Sequence, residues 1–225
     1  MKIATWNLMR PNEKTIERNL CLINAINETI PDIIILTETN SVIDFSAHFY
    51  TASTNTLPHS FQGQHYEPGE NRVTIYSRYP ILQLVTTADS YNSVCAEIAT
   101  PLGDLCVYAT VIGFLGGKHK SFEKDLEKQL ADLAKLTMHK NVCFCGDLNI
   151  SFSGYPYPGK SVIKKVNLFF DNHDLVNVTA GLPDNAMHNV LNGSFLRGRK
   201  VSVTRTTVDK KITDHSLIKL ELIPG

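Results

Sequence analysis

Four groups of polar residues sit directly against apolar runs in this chain. Asn7 follows Ile3-Ala-Thr-Trp6, and Glu38 follows IIILT. Asp147 and Asn149 follow VCFCG, and the pair Asp214-His215 stands beside the last apolar segment. Carboxylates with an amide oxygen are hard oxygen donors, suited to Mg²⁺ or Mn²⁺. A carboxylate beside such an ion can orient or deprotonate a water for in-line attack. A histidine can neutralise charge developing on phosphoryl oxygens. Together these are the parts of a metal-assisted phosphoester hydrolase. Any one polar residue at a strand end is ordinarily a cap or a turn. Four clusters of the same chemical kind point to a shared centre, because strand ends fix side chains while loops leave access.

The elements that must carry these residues follow from periodicity. Lys2–Leu8 reads as a strand, and a helix from about Lys14 to Thr29 presents Leu20, Ile23, Ala25, Ile26 and Ile30. Pro31-Asp32 ends the helix, and the continuous run Ile33–Leu36 is typical of a strand covered on both faces. Residues 41–72 are rich in Ser, Thr, His, Gly and Pro and read as loop with short strand pieces. Strands are expected at Val73–Ser77, Ile81–Thr87, Ser93–Thr100 and Leu105–Ile112, with Pro101–Asp104 as a hairpin turn. A helix over Ser121–Met138 carries a stripe of Leu126, Leu130, Leu133 and Leu136. Asn141–Phe144 is the strand leading into GDLN, Val162–Phe170 a helix, and Leu175–Val178 a short strand or helix end. Val201–Thr206 and Ser216–Ile223 are the last strands. Strands outnumber helices, and no Gly/Ser linker divides the chain. The expectation is one α/β domain over 1–225, two packed sheets with helices outside.

Composition bounds the alternatives. The chain has 225 residues, 43% of them apolar, and a formal net charge of zero. That balance advertises neither a nucleic acid nor a membrane partner by itself. No apolar run reaches membrane-spanning length, and the first residues lack a signal-peptide core, so a cytoplasmic protein is expected. The five cysteines are odd in number, and Cys143-Phe-Cys145 lacks the spacing of a zinc or redox pair. They are expected to be reduced and buried.

The order WN, LTET, YSRYPI, GDLN and TDHS resembles the endonuclease/exonuclease/phosphatase superfamily, which includes deoxyribonuclease I and the exonuclease III-type AP endonucleases. The resemblance spans Lys2 to Leu222 and implies a four-layer αββα sandwich of two mainly antiparallel mixed sheets. It implies Glu38 as the principal ligand of Mg²⁺ or Mn²⁺, with Asn7 assisting and Asp214 beside the metal. It implies Asp147 as the residue that activates water, Asn149 as the one that holds phosphate or water, and His215 as the contact to the scissile phosphate. Two positions depart from the family pattern. Val111 stands where a phosphate-contacting histidine or tyrosine is usual, and Ser202 where an aspartate usually orients the catalytic histidine; Asp209, Tyr108, Lys118 or His119 could compensate.

A nuclease, with DNA preferred over RNA, is the leading expectation. Between Gly193 and Lys211 the basic residues Arg197, Arg199, Lys200, Arg205, Lys210 and Lys211 face only Asp209 as an acid, a strip that could track a phosphate backbone or simply guard a strand edge. Tyr155, in GYPYPGK just after GDLN, is placed to stack on a base or to pack its own loop. The other readings are a phosphatase or phosphodiesterase acting on a small-molecule or lipid phosphoester, and a catalytically weakened relative that binds metal or nucleic acid. The sequence is silent on oligomeric state.

Overall fold

The computed structural model describes residues 1–225. The first half of the chain supplies β1 (Lys2–Asn7), α1 (Ile16–Glu28), β2 (Ile33–Asn40), β3 (Tyr50–Ser53), β4 (Ser60–Phe61), β5 (Gln64–His65), β6 (Glu70–Ser77), β7 (Ile81–Val85), β8 (Ser93–Thr100) and β9 (Gly103–Val111). The second supplies α2 (Phe122–Thr137), β10 (Val142–Asp147), α3 (Lys160–Asn172), β11 (Leu175–Asn177), β12 (Met187–Asn192), α4 (Gly193–Leu196), β13 (Arg199–Thr206) and β14 (Leu217–Pro224).

Two six-stranded sheets form, in the orders β13-β14-β1-β2-β6-β3 and β11-β12-β10-β9-β8-β7. Each has one parallel pair at its centre, β1 with β2 and β10 with β9, amid antiparallel neighbours. Between the sheets lies a core that includes Ile3, Ile35, Val107, Cys143, Leu191 and Leu220. A second cluster packs α2 and α3 on the outside of the β10 sheet, and a third packs α1 on the outside of the β1 sheet. The layers therefore run αββα, as expected. No helix is long and apolar enough to cross a membrane.

Several local expectations shift. Helix α1 buries Leu22 and Ile26, while Leu20 and Ile30 are exposed, so its apolar stripe is rotated from the one anticipated. Strands β2 and β10 run through their polar ends, so Glu38 and Asp147 belong to the strands themselves. Strand β12, MHNVLN, was not anticipated. All six of its residues are buried, so its composition lacks the polar–apolar alternation of a half-exposed strand. Cys143 and Cys145 do share one face, in the inter-sheet core, but Cys21 is exposed.

Candidate active site

The inward-facing positions of the central strands turn polar at one end. On β1 the order is Ile3, Thr5, Asn7; on β10 it is Cys143, Cys145, Asp147. Thr5 Oγ1 donates to Asn189 Oδ1 of β12 across the sheets at 2.9 Å, and both groups are buried. One layer above, Asn7 Nδ2 donates to Asp147 Oδ2 at 2.9 Å and to Glu38 Oε1 at 3.2 Å. Asn7 Oδ1 accepts the Met9 N–H at 2.9 Å, which fixes the amide with its nitrogen toward the carboxylates. Asn7 thus ties the ends of β1, β2 and β10 into one corner.

Backbone geometry aims the groups. Glu38 and Asn149 both adopt left-handed conformations, with φ of 47° and 51°. Such angles are uncommon outside glycine, and here they turn the two side chains at the strand ends toward the site. Gly146 has φ 124°, and a Cβ there would lie 2.1 Å from Thr110 O of β9. Glycine is therefore required for β10 to approach β9 this closely just before Asp147. Asp147 Oδ1 accepts the Asn149 N–H at 3.0 Å, which closes the turn.

The Asp214-His215 pair sits on the opposite rim. Trp6 Nε1 donates to the His215 carbonyl at 3.0 Å, and Thr213 Oγ1 donates to the Asn7 carbonyl at 3.0 Å. The loop before β14 is thereby fastened to β1. His215 Nε2 lies 3.3 Å from Asp214 Oδ1, with Asp214 mostly exposed. Burial, then the neighbouring Asp147 charge, raises the Glu38 carboxyl above its ordinary range, against the Asn7 amide, His215 and Arg10.

The structure joins Asn7, Glu38, Asp147 and Asn149 directly and brings Asp214-His215 to the same end. The Asn149 amide is engaged, donating to the Ile112 carbonyl at 3.0 Å and reaching Gly113 O at 3.4 Å. Val111 lies beside Asp147 in register, buried in the inter-sheet core, so its isopropyl group offers no hydrogen bond there. Ser202 is exposed and pairs with Glu221, well up the strand from His215, so it does not orient the imidazole. Tyr108 is taken up by Ser93 and Asp132.

The basic strip also divides. Strand β13 has eight residues, a span of about 25 Å at strand rise. Arg199 and Lys200 pair with Pro224 and Ile223 at the end away from the site, and the Arg199 guanidinium donates to the carbonyls of Phe195 and Leu102. Arg197, Arg199 and Lys200 are therefore displaced from the centre they were expected to border. The residue that does border it is Arg205. Its Nε donates to Ser216 Oγ at 2.9 Å, next to His215, and its Nη1 to Pro183 O at 2.8 Å. Tyr155 is on the same rim, exposed, its N–H held by Asp184 Oδ1 at 2.8 Å.

Sequence reasoning also passed over His188, fully buried under the GDLN loop. Its Nε2 faces the carbonyls of Ile150 and Asn185 at 2.8 and 2.9 Å, and its Nδ1 faces Thr179 Oγ1 at 3.0 Å. Burial lowers its pKa to about 4, so it is a neutral donor that fixes the Ile150 carbonyl. Its only sequence signal was a lone histidine in a mixed segment.

A divalent ion fits this corner. Two carboxylates converge on one amide with no cation between them, and Glu38 is held in a state that disfavours its own charge. The carboxylate oxygens are hard donors, whereas Asn7 turns its Nδ2–H to them and its Oδ1 to the Met9 N–H, so Asn7 positions the carboxylates and offers no oxygen to an ion. No three His, Cys, Asp or Glu side chains are placed to hold an ion by themselves, so an Mg²⁺ here would draw its remaining ligands from water and substrate phosphate.

The fold of the chain is similar to that of several solved proteins. Its fold matches an endonuclease/exonuclease/phosphatase protein from Beutenbergia cavernae with a TM-score of 0.73 and 18% identity, over 100% of this chain and 72% of that one. It matches a variant of the 3′ phosphatase NExo from Neisseria, bound to a product DNA hairpin, with a TM-score of 0.70 and 15% identity over 99% of both chains. It matches a beta toxin from Staphylococcus aureus with a TM-score of 0.62 and 17% identity, over 98% of this chain and 99% of that one. No curated protein is a significant sequence match. The sequence profile of the Endonuclease/Exonuclease/phosphatase family matches residues 4–209. With that match over most of its length and the αββα layers around the Asn7–Glu38–Asp147 corner, this chain belongs to the Endonuclease/Exonuclease/phosphatase family.

Proposed function

We propose that the protein is a divalent-metal-dependent phosphodiesterase acting on nucleic acid, with DNA as the preferred substrate. The observation that carries this reading is the Asn7 amide holding the Glu38 and Asp147 carboxylates together at the mouth of the cleft. Family membership supports phosphoester hydrolysis as the chemistry. The DNA preference rests on the basic rim formed by Arg205, with Lys210 and Lys211 in the adjoining loop, and on the likeness to NExo, described with a DNA hairpin.

Glu38 would hold Mg²⁺ or Mn²⁺, with Asn7 positioning its carboxylate and Asp214 at the edge of the site; the ion would supply charge neutralisation to the phosphoryl oxygens. Asp147 accepts a proton from a water as its oxygen bonds to phosphorus, and the bond from phosphorus to the leaving sugar oxygen breaks. The products are a phosphomonoester and an alcohol. His215 and the Arg205 Nη2 face the charge on the non-bridging oxygens. They replace the donor that Val111 cannot supply. Asn149 acts on the protein side, holding the Ile112–Gly113 carbonyls and so the shape of the corner.

The test is hydrolysis of single-stranded and plasmid DNA, and of bis(p-nitrophenyl) phosphate, by wild type and Asp147→Asn with and without Mn²⁺. Metal-dependent cleavage lost in the variant is the expected result. Equal inertness of both proteins on every substrate would overturn the reading.

A further inference from the structure

Beside Glu38 the surface opens into a small hollow with about 80 Å³ of water-accessible space, below the roughly 300–1,000 Å³ of drug-sized sites and so suited only to a small group such as a single ring. One wall is the β4–β5 hairpin. Its turn, Gln62-Gly63, has φ of 52° and 77°, a geometry in which both central residues are left-handed. The hairpin is clamped from below. Arg10 pairs with Glu70 through two bonds of 2.7 and 3.1 Å, lies 4.6 Å over the Tyr66 ring and reaches the His65 carbonyl. Arg72 donates to Gln62 Oε1 at 3.1 Å and to Tyr66 Oη at 3.0 Å. The other wall is the loop after β9. Phe114 lies with its ring centroid 3.6 Å from the Arg72 guanidinium carbon, and Leu115 beside it is exposed. Asn149 holds the start of this loop, so the wall and the catalytic corner are one structure.

The charges of the lining select the ligand. Arg10 is neutralised by Glu70. Arg72 is buried, and its amide and phenol partners occupy it as part of the wall. Glu70 is matched by Arg10 in turn, and Glu38 has no arginine partner, so the lining offers no free cation to recruit a second anion. What remains is an apolar and aromatic surface from Leu57, Phe114 and Leu115, with the exposed Gln64 amide and the Asn71 carbonyl oxygen, whose amide nitrogen is already bonded within β6. A flat, uncharged ring with a hydrogen-bonding edge matches that lining. Stacking surfaces next to Gln and Asn amides are how proteins read unpaired bases.

We propose that this hollow is a nucleobase pocket, taking the base one sugar away from the scissile phosphate. Glu38 lines both the pocket and the catalytic corner, so phosphate and base are bound across one side chain. A base must leave a duplex stack to stand between the hairpin and the Phe114 loop, which costs least for an unpaired base. The substrate class is therefore single-stranded nucleic acid or unpaired strand ends, rather than duplex interior. This inference rests on the phosphodiesterase reading above, and the test separates the two.

Thymidine 5′-(p-nitrophenyl phosphate), thymidine 3′-(p-nitrophenyl phosphate) and methyl p-nitrophenyl phosphate share a leaving group and differ in the base. One thymidine ester is expected to show kcat/KM at least about tenfold above the methyl ester. Gln64→Ala and Leu115→Ala are expected to shrink that ratio through KM. A ratio near one for both thymidine esters in the wild type, or a ratio kept in both variants, overturns the pocket while leaving the phosphodiesterase standing. A second measurement needs no turnover. The fluorescence of 2-aminopurine deoxyribonucleoside 5′-monophosphate is titrated with the full chain in Mg²⁺. Saturable quenching, weakened in Leu115→Ala, is expected even if no ester is hydrolysed, and its absence in the wild type overturns the pocket independently of catalysis.

Discussion

The inter-sheet core has two ends built from the same strands and held to opposite rules. At the end near the β8–β9 hairpin the inward residues include Ile3, Ile33, Leu105 and Leu222, and the layer is apolar throughout. At the other end the same strands place Thr5, Thr37, Asn7, Asp147 and, on β12, Asn189 inward, all buried. There the hydroxyl of Thr37 and the amide nitrogen of Asn189 have no partner. Unpartnered buried polar groups cost free energy, of order 1–3 kcal/mol each. One end stabilises the sandwich, and the other gives up part of that stability for a preorganised polar corner. Active sites commonly sit at such places.

Breaking the polar end should cost activity before stability. The largest expected effect is Asp147→Asn, which keeps the shape, gives up one of the two hydrogen bonds accepted from Asn7 and Asn149, and cannot take a proton. Its kcat should fall by about 10²–10⁴-fold, while urea unfolding should show a loss of only about 1–3 kcal/mol; retained kcat would remove Asp147 from the chemistry. Next is Glu38→Gln. Calorimetric titration should show Mn²⁺ affinity reduced at least about tenfold, and an unchanged isotherm would remove Glu38 from the metal site.

The contrast also divides strand β13. Arg205→Ala, at the active end, removes a charged donor and should lower kcat/KM on DNA by about 10-fold or more. Lys200→Ala, at the quiet end, should stay within about twofold of wild type. Equal losses from both would restore the whole strand as the binding strip. The smallest functional effect is expected at His188. Its folded-state pKa, about 4, lies below the unfolded value near 6.5, so the unfolded chain takes up the proton first. The stabilising contribution is complete above pH 6.5 and is lost as the pH falls toward 4. Urea unfolding should show about 2 kcal/mol of stability lost between about pH 7.5 and pH 5. That acid sensitivity should be absent in His188→Gln, and its persistence there would assign it to other groups.

Much of the polar corner's composition was legible in the sequence. Glu38, Asp147 and Asp214-His215 are charged residues set against runs such as IIIL and VCFC, and that contrast survives without coordinates. What escaped depended on register and on burial of polar residues. Strand β12 hid because its inward Asn189 and buried His188 look like loop composition. Which end of β13 faces the site follows from its pairing with β14, Thr206 against Leu217, and no local pattern encodes that. The pocket wall hid inside the polar segment 41–72, where two-residue strands leave no period to read.

Strand β1 lies between β2, which follows it directly, and β14, whose Glu221 faces Lys2. The Asn7 carbonyl waits for Thr213, and the Trp6 indole for His215, more than 200 residues later. During synthesis the Asp214-His215 side of the corner therefore has to wait for the end of the chain, when Thr213 and His215 can reach back to β1.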